Sequence, residues 1–273
     1  MASFAMSRPI NSGNRGKRMQ SIDLTGKNIL ITGGTRGIGR AISRTLAQAG
    51  ARIGAIYRSD SETAARTLAE LSALPNPAAH FILQADITDE AAAIESVRQA
   101  GERFEGALDF LILDAAAGAG GPLAAMKTED WKRPFEVNVH GAFYMVRAAV
   151  PLMRRGGGIL FLSSGAGHDP MAGLSAYGAS KAAVNHLSTV LAQELGPQGI
   201  RVNTISPGHT NSSDTDINAD PSLYTEAQKH IADTTALRRL GTAQDVANVV
   251  LFFVSDLSSF VTGNWVRVNG GRL

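Results

Sequence analysis

Short apolar runs alternate along this chain with longer stretches in which apolar residues recur every three or four positions. Seven runs have the length and composition of strands: residues 28–31, 52–56, 80–83, 108–113, 159–162, 200–205 and 265–268. Strands that alternate with helical patterns predict a parallel sheet covered by helices on both faces. Neither a linker nor an internal repeat interrupts the alternation. We therefore predict an α/β fold in which a doubly wound, seven-stranded parallel sheet forms one domain over residues 23–273.

The helical stretches between these strands have recognisable starts and ends. Ile38, Ile42 and Leu46 recur at helical spacing after the first strand. Ser61 and Thr88 precede the next two helical stretches, and their side chains can cap helices that we expect to reach about residues 73 and 104.

The second half of the chain contains one long helical pattern and one irregular segment. Apolar spacing predicts a single helix over about 128–153, and Thr242 is expected to cap a helix that ends near residue 254. Residues 209–236 are polar and show no regular pattern. A segment this long inside a compact domain is typical of a lid or binding loop, so we assign 209–236 to substrate binding.

A glycine-rich turn, Thr32-Gly-Gly-Thr-Arg36-Gly-Ile-Gly39, joins the first strand to the first helix. Glycine allows tight backbone geometry and close approach of a diphosphate to a helix N-terminus, where unpaired N–H groups favour an anion. The turn therefore predicts a dinucleotide site, although a purely structural role is the alternative. The residues expected to contact the cofactor here are Gly33, Thr35, Arg36, Gly37, Ile38 and Gly39.

The end of the second strand decides which nicotinamide dinucleotide is expected. Tyr57, Arg58 and Ser59 stand where an acidic residue would select the 2′-hydroxyl of NAD. No acid is present, whereas Arg36 and Arg58 could bind a 2′-phosphate bidentately. We therefore predict NADPH (NADP⁺) as the cofactor. The alternative is that both arginines are simply solvated.

Two further strand ends carry candidate cofactor contacts. Asp86 and Ile87 follow the third strand, where the Asp86 carboxylate could accept from an adenine amino group. Asp114, Ala115 and Ala116 follow the fourth strand and begin a run of small residues that ends at Gly121, against which a ring or ribose could lie.

Tyr177 and Lys181 stand four residues apart in a segment rich in helix formers. Four residues is just over one helical turn, so both side chains project from one face of the helix. An ammonium near a phenol favours the phenolate and lowers the pKa of the phenol, which lets a tyrosine act as a general acid or base. The alternative is a surface lysine beside a half-buried tyrosine. Ser164 ends the fifth strand, at the same edge of the predicted sheet.

Composition limits the classes of function. The 273 residues have a net charge of +2 and no basic cluster, so we expect no nucleic-acid partner. The longest apolar run, about 249–254, is too short to span a membrane. There are no cysteines, which excludes disulfides and thiolate metal sites and fits the cytoplasm. Residues 1–22 carry four basic residues and no acid. We expect a disordered extension there, with a weak organelle-targeting signal as the alternative.

Taken together, the motifs resemble those of the short-chain dehydrogenase/reductase family in its single-domain, Rossmann-type form, from about residue 24 to the C-terminus. The spacing is most similar to that of β-ketoacyl-carrier-protein reductases and ketoreductases of secondary metabolism. The matching elements are Thr32-Gly-x-x-x-Gly-x-Gly39, Asp86, Asn138, Ser164, Tyr177-x-x-x-Lys181, Pro207-Gly208 and Asn269-Gly-Gly271.

The resemblance implies a role for each matching residue. Tyr177 would donate a proton to a carbonyl oxygen that Ser164 holds, and Lys181 would tune Tyr177 and bind the nicotinamide ribose. Asn138 would hold a water that links Lys181 to solvent. Pro207 and Gly208 would contact the cofactor, and Ser212 would replace the family's threonine near the nicotinamide carboxamide. The family also implies a homotetramer or homodimer, and we expect no metal.

The chain departs from the family pattern at several positions. Asp114 replaces the second asparagine of Asn-Asn-Ala-Gly and cannot donate as an amide does, which puts the packing on the cofactor side in doubt. His168, Asp169 and His209 stand near the expected site, where solvated loop residues are favoured over contacts to a polar substrate. The pair 154–155, both arginines, could meet an acidic carrier protein, but a solvated helix end is favoured.

These observations predict an NADPH-dependent carbonyl reductase, that is, a ketoreductase that acts on a small-molecule ketone, either free or bound to a carrier protein. An enoyl-thioester reductase is the first alternative, because that activity occurs in the same fold with a related Tyr and Lys. A regulator that binds nicotinamide cofactor without catalysis is the second.

Overall fold

The computed structural model of the protein describes residues 22–75, 78–213 and 217–272. The extension expected over residues 1–22 therefore lies, apart from its last residue, outside the described part. The same is true of 214–216 within the segment assigned to substrate binding.

Seven strands form one parallel sheet, as the alternation of apolar runs predicts. Its order is β3-β2-β1-β4-β5-β6-β9, and every neighbouring pair is parallel. The strands are β1 (Asn28–Thr32), β2 (Arg52–Tyr57), β3 (Phe81–Gln84), β4 (Leu108–Leu113), β5 (Met153–Leu162), β6 (Arg201–Pro207) and β9 (Trp265–Val268); the short strands β7 (Thr210–Asn211) and β8 (Gly241–Thr242) pair separately. β1 and β4 are fully buried, which explains why they are mostly apolar on both faces; the buried Asp109 of β4 accepts from the Asn28 N–H at 2.9 Å.

Helices cover both faces of the sheet. They are α1 (Gly37–Gln48), α2 (Ser61–Ser72), α3 (Glu90–Arg103), α4 (Thr128–Phe135), α5 (Ala142–Ala149), α6 (Ser175–Leu195), α7 (Glu226–Thr234) and α8 (Ala243–Phe253). Side chains alternate along each strand, so Leu30 joins the core under α3, α5 and α6, whereas Ile29 and Ile31 join the core under α1 and α8.

The chain reverses its direction of travel across the sheet between β1 and β4. It runs outward from β1 to β3, returns to β4 beside β1, and then continues outward on the other side. In such sheets, ligands bind outside the carboxyl ends of the strands where the order reverses. The fold thereby places the ends of β1 and β4 at the expected site.

Two helix starts differ from the sequence prediction. Asp60, not Ser61, caps α2 by accepting from the Thr63 backbone N–H at 3.0 Å. Asp89, not Thr88, caps α3, again at 3.0 Å from the N–H of Ala92. In each case an aspartate adjacent to the expected cap takes the position, because its carboxylate is an equally favoured acceptor at a helix N-terminus.

The long helix predicted over 128–153 is interrupted. A π-helical turn, Glu136–Gly141, separates α4 from α5, and a 3₁₀ turn, Val150–Leu152, follows α5. Met153 is the first residue of β5 rather than the end of the helix. Apolar spacing of three and four residues does not separate α-helix from an inserted π turn, because the buried face continues through both.

Residues 209–236 are more regular than the sequence suggested. They contain β7 and α7, and α7 begins with a capping box between Thr225 and Gln228. Only Ala232 of α7 is buried, so the helix has no apolar stripe that periodicity could detect. The pair Thr225 and Gln228, three residues apart, was the signal that would have predicted it.

Candidate functional site

A buried ammonium group lies at the centre of the candidate site. Lys181 projects from α6, is only 3% exposed, and donates from Nζ to the backbone carbonyl of Leu162 at 2.7 Å. Leu162 is the last residue of β5, so this bond fixes α6 against the carboxyl end of the sheet. Tyr177, one turn earlier on α6, is half-buried, and the centroid of its ring lies 5.8 Å from Lys181 Nζ.

Ser164 reaches the same place from the end of β5. It caps a short 3₁₀ turn, Gly165–Gly167, where its hydroxyl accepts from the Ala166 N–H at 3.3 Å. An ideal Cβ on Gly167 would lie 3.0 Å from Lys181 Cβ, so glycine lets this turn pack directly on α6. The structure thus brings Ser164, Tyr177 and Lys181 together as predicted.

The pKa of Tyr177 differs from expectation. Burial raises this pKa above its ordinary value, a hydrogen bond from Ser164 opposes the increase, and the charge of Asp114 adds to it. We predicted from the spacing to Lys181 that the pKa would be lowered, and in this structure that prediction is wrong. The physical reason is that burial disfavours the charged phenolate, and the negative charge of Asp114 adds to this effect.

Lys181 and Asp114 are perturbed in opposite directions. Burial lowers the pKa of Lys181 to about 8, although the Asp114 charge favours its protonated form. Burial raises the pKa of Asp114 to about 7, and Lys181 is the strongest opposing influence. Both groups therefore titrate near neutral pH, because desolvation disfavours their charged forms.

Asn138 is held in the π-helical turn by its own side chain. Its amide accepts from the Ala117 N–H at 2.9 Å and donates to the Ser180 hydroxyl at 2.9 Å. Ser180 in turn donates to the carbonyl of Tyr177 at 2.7 Å. A cavity of about 10 Å³ touches both Asn138 and Lys181, which is close to the minimum space for one water. The relay through Asn138 remains a prediction.

The glycine turn has the geometry that a dinucleotide requires. Gly33 and Gly37 have positive φ angles of 71° and 54°. A Cβ on Gly39 would lie 2.2 Å from the carbonyl oxygen of Gly33, so no larger residue fits. The α1 N-terminus has Arg36 as its N-cap, with no side-chain capping bond and no acid in its first turn. These residues fit an anionic diphosphate.

Asp114 supports this turn from the end of β4. An ideal Cβ on Gly39 would lie 2.6 Å from Asp114 Oδ2, and the Gly39 N–H hydrogen-bonds to the carboxylate. Next to it, the Ala115 N–H donates to Thr32 Oγ1 at 3.1 Å. The packing that the sequence put in doubt is therefore tight, with a carboxylate in the place of the amide.

The remaining cofactor candidates lie along the same edge of the sheet. Arg36 and Arg58 are exposed, and their charges act on the aspartates at positions 60 and 86 respectively. The Asp86 carboxylate accepts from the N–H and the hydroxyl of Thr88. The other candidates at or near strand ends are Thr35, Ile38, Tyr57, Ser59, Ile87, Ala116, Pro207 and Gly208. Ser212 packs on Gly37, with its Cβ 3.4 Å from an ideal Cβ there.

Two of the charged residues that the sequence left open, His168 and Asp169, pack against β9. His168 stacks on Trp265 of β9 with ring centroids 4.6 Å apart, and Asp169 pairs with Arg267 at 3.1 Å. His168 and Asp169 are therefore packed against the edge strand and are not solvated loop residues.

His209 is exposed in the loop between β6 and β7, as favoured, whereas the arginine pair 154–155 lies in a strand. His209 Nδ1 lies 3.0 Å from the Arg272 guanidinium. Residues 154–155 are exposed in β5, not at a helix end, and Arg154 lies 3.6 Å from Asp109. Because they precede the buried part of β5, they lie at the amino ends of the strands, whereas Tyr177 lies at the carboxyl ends.

Sequence reasoning missed two residues that organise the site. Ser180 links Tyr177 to Asn138, and its position between Tyr177 and Lys181 on the same helical turn was the available signal. Thr32 Oγ1 accepts from the Ala115 N–H just after β4. Nothing in the sequence indicated this role apart from the place of Thr32 in the glycine turn. Within the described ranges, no cluster of three His, Asp or Glu side chains could hold a metal. No helix there is long and apolar enough to cross a bilayer.

The chain is similar to known proteins over nearly its whole length. The sequence profile of a family described as Enoyl-(Acyl carrier protein) reductase matches residues 33–272. A 3-oxoacyl-[acyl-carrier-protein] reductase FabG from Staphylococcus aureus is 33% identical over 247 residues, which cover 90% of this chain and 97% of that protein. A cyclic-di-GMP-binding biofilm dispersal mediator protein from Escherichia coli is 34% identical, with the same coverage of both chains. A crystal structure of a short chain dehydrogenase from Burkholderia cenocepacia in complex with NADP has a TM-score of 0.83 and 33% identity, covering 91% of this chain and 98% of that one.

Replacement of Gly39 by alanine tests the glycine turn. Alanine normally stabilises a helix by about 0.5–1 kcal/mol relative to glycine. Gly39→Ala should instead destabilise the protein by about 1–3 kcal/mol, because the new methyl group meets the Gly33 carbonyl. It should also abolish dinucleotide binding. Urea unfolding and quenching of tryptophan fluorescence by NADPH would measure the two effects.

Gly196→Ala is the matched control, since an ideal Cβ there meets nothing within 4 Å and the residue has no positive φ. We expect that variant to keep both the stability and the affinity of the unchanged protein. A Gly39→Ala protein that bound NADPH with unchanged affinity would show that the turn does not hold the cofactor.

Proposed function

The chain belongs to the short-chain dehydrogenase/reductase family of NAD(P)-dependent oxidoreductases, which interconvert C–OH and C=O groups, and we propose that it is an NADPH-dependent ketoreductase. The single observation that carries this proposal is the convergence of Ser164, Tyr177 and Lys181 beside the glycine turn. A non-catalytic relative would have no need to retain all three groups in one place.

The arrangement supports reduction of a carbonyl. NADPH, when bound, supplies the hydride for the carbonyl carbon. The Ser164 hydroxyl orients the carbonyl oxygen, and Tyr177 donates its phenolic proton to that oxygen as negative charge develops there. The raised pKa of Tyr177 keeps the phenol protonated and therefore able to donate.

Lys181 acts on the phenolate that remains after proton donation. Its ammonium, fixed by the Leu162 carbonyl, stabilises that anion and would hold the nicotinamide-ribose hydroxyls. The cavity between Asn138 and Lys181 would hold the water through which a proton returns from solvent. Ser212 would contact the cofactor from the segment that covers Gly37.

The preference for NADPH follows from the residues directly after β2, where Arg58 and Ser59 stand in the place of an acid that would select the 2′-hydroxyl of NAD; the next acid, Asp60, caps α2. Arg36 at the N-cap of α1 and Arg58 directly after β2 are both exposed, and they would bind the 2′-phosphate. The Burkholderia cenocepacia dehydrogenase, whose crystal structure is a complex with NADP, supports this assignment. Asp86 would accept from the adenine amino group with the lone pairs that Thr88 leaves open.

A second activity is favoured by the description of the matching family, which names an enoyl-carrier-protein reductase. The name of the Staphylococcus aureus relative favours a 3-oxoacyl thioester instead, and it supports a substrate bound to a carrier protein. NADPH oxidation should be followed with a 3-oxoacyl thioester, with the 2-enoyl thioester of the same chain length, and with ketones that have no thioester. Faster turnover of the carbonyl compounds supports the ketoreductase, and turnover of the enoyl thioester alone contradicts it.

The Escherichia coli relative is named for binding a nucleotide, which keeps a regulatory role as the alternative. Cofactor binding without turnover of any member of this substrate panel would favour that role. We further propose a cytoplasmic enzyme, in keeping with the absence of cysteine from a chain of this size.

Replacement of Tyr177 by phenylalanine tests the proton donor. Tyr177→Phe keeps the ring but removes the titrating oxygen, so the rate of ketone reduction should fall by about 10²- to 10⁴-fold. NADPH affinity should change little. Steady-state kinetics and a binding titration would separate the two, with Tyr144→Phe on α5 as the control that loses a phenol elsewhere. Reduction of the best ketone by folded Tyr177→Phe at the unchanged rate would refute the mechanism.

Charge reversal at Arg36 and Arg58 tests cofactor choice. The double variant Arg36→Glu, Arg58→Glu should bind NADPH at least about 100-fold more weakly, because two charge-assisted contacts to a phosphate are lost. NADH affinity should change by less than about fivefold. Arg44→Glu, an exposed reversal about two turns further along α1, controls for net charge. Equal losses for both cofactors would contradict the assignment.

We also propose that the protein is a homotetramer or a homodimer. Apolar side chains are exposed near the sheet edge formed by β9: Phe260 is fully exposed, Leu257 is 68% exposed and Trp265 is 43% exposed. Burial of such a patch against a second copy is favourable. Light scattering at micromolar concentration should report a multiple of the monomer mass. Phe260→Asp should shift the protein to smaller species, and a monomer mass for the unchanged protein would reject the proposal.

A further inference from the structure

Asp114 places a carboxylate directly beneath the turn that we assign to the diphosphate. Its Oδ2 lies 2.6 Å from an ideal Cβ of Gly39 and 3.4 Å from that of Gly33. The carboxylate hydrogen-bonds to the Gly39 N–H, which is one of the unpaired donors in the first turn of α1. An anionic ligand bound at this turn would therefore lie next to the negative charge of Asp114. That carboxylate already accepts from one of the N–H groups that the ligand could bind.

Charged and titratable groups reach Asp114 from two other elements. Lys181 faces it from α6, and Arg36 faces it from the start of α1. Tyr177, also on α6, is the third titratable group that its charge affects. The site is thus a cluster of one carboxylate, one buried ammonium, one guanidinium and one phenol around the expected position of the cofactor.

We propose that Asp114 couples cofactor binding to proton uptake: the carboxylate binds one proton from solvent when an anionic nicotinamide dinucleotide occupies the glycine turn. This proposal rests on the proposed function, because it requires a dinucleotide to bind at this turn. The dinucleotide adds negative charge beside Asp114, and like charges favour the protonated, neutral form of a carboxyl group. The proton comes from water or buffer and no bond other than O–H is formed.

The titration of Asp114 agrees with this coupling. In the protein without cofactor, its pKa is raised to about 7 by burial. A bound anion raises the pKa of Asp114 further. Between about pH 7 and this higher pKa, the complex therefore holds more protons than the free protein and the free cofactor together. Binding then weakens as pH rises through this range. Below about pH 7 both states are protonated, and the affinity no longer depends on Asp114.

Protonation of Asp114 would also prepare the proton donor. The Asp114 charge is one of the causes that raise the pKa of Tyr177, and it partly neutralises Lys181. Loss of that charge on cofactor binding removes one of the influences that raise the pKa of Tyr177, which favours the phenolate. Cofactor binding and the readiness of Tyr177 to release its proton are therefore linked through one carboxyl group.

Asp114→Asn is the variant that tests the proposal. Asparagine has nearly the same shape, still accepts from the Gly39 N–H, and does not titrate. In the unchanged protein, affinity for NADPH and for NADH should be up to about 30-fold weaker at pH 8.5 than at pH 6, as follows from a pKa of about 7. Asp114→Asn should bind more tightly than the unchanged protein at pH 8.5 and about equally at pH 6. The use of NADH excludes titration of the 2′-phosphate, whose pKa is about 6.

Lys181 titrates in the same range, so a second measurement must report the carboxyl group itself. Difference infrared spectra of the unchanged protein at pH 8 should gain the C=O stretching band of a protonated carboxyl group when NADPH is added. The band should be absent from Asp114→Asn. Calorimetric titration in buffers of different ionisation enthalpy would count the protons taken up.

The outcomes separate this inference from the proposed function. If neither NADPH nor NADH binds, the proposed function fails and the inference fails with it. If both bind, but no carboxyl band that depends on Asp114 appears, the inference alone is overturned. A band together with a pH-dependent affinity that Asp114→Asn abolishes would establish it.

Discussion

The burial of one ammonium group is the constraint on which the site depends. Lys181 is almost completely buried, and a buried charge is stable only when other groups compensate for lost water. Its compensation comes from the Leu162 carbonyl at the end of β5 and from the charge of Asp114 at the end of β4. Because these partners belong to adjacent strands, α6 has to lie across the carboxyl edge of the sheet. Tyr177 is carried to the same edge by the same helix.

The close packing around this ammonium depends on small side chains. Gly167 lets the turn after β5 approach Lys181, and Gly39 lets α1 approach both Gly33 and Asp114. Asp114 then balances the positive charge with a group that can itself become neutral. An asparagine at this position, as the family pattern has, would leave the ammonium without a negative neighbour. The local exchange of an amide for a carboxylate therefore changes the electrostatics of the whole site.

The fold alone does not choose among the activities of relatives. Proteins with very similar coverage are named as a carrier-protein reductase and as a nucleotide-binding dispersal protein, so function has to be argued from the site. The loop after β4 bears small residues and is tied to the segment before α6 by the Gly121 N–H, which donates to Gly173 at 2.8 Å. Gly118 of the same loop lies against Tyr177, since an ideal Cβ there would lie 3.9 Å from Tyr177 Cδ2.

The amino-acid sequence by itself determined the seven strands, their parallel arrangement and the dinucleotide turn, because these depend on local patterns. Apolar runs mark buried strands, and glycine spacing marks backbone that other residues cannot adopt. Ser164, Tyr177 and Lys181 could likewise be chosen in advance, since the strand ends and a four-residue helical spacing bring them together. The cap residues at 60 and 89 and the helix α7 were missed, because adjacent capping residues compete and an exposed helix carries no apolar stripe.

Only the tertiary structure decided the direction in which the pKa of Tyr177 is shifted. Spacing along α6 places an ammonium near the phenol, but it carries no information about Asp114, which is 63 residues earlier in the chain. Packing of β4 against the glycine turn brings that carboxylate to the phenol and the ammonium at once. The pKa of a buried group is set by every charge around it and by its loss of water, and both quantities exist only in the folded chain.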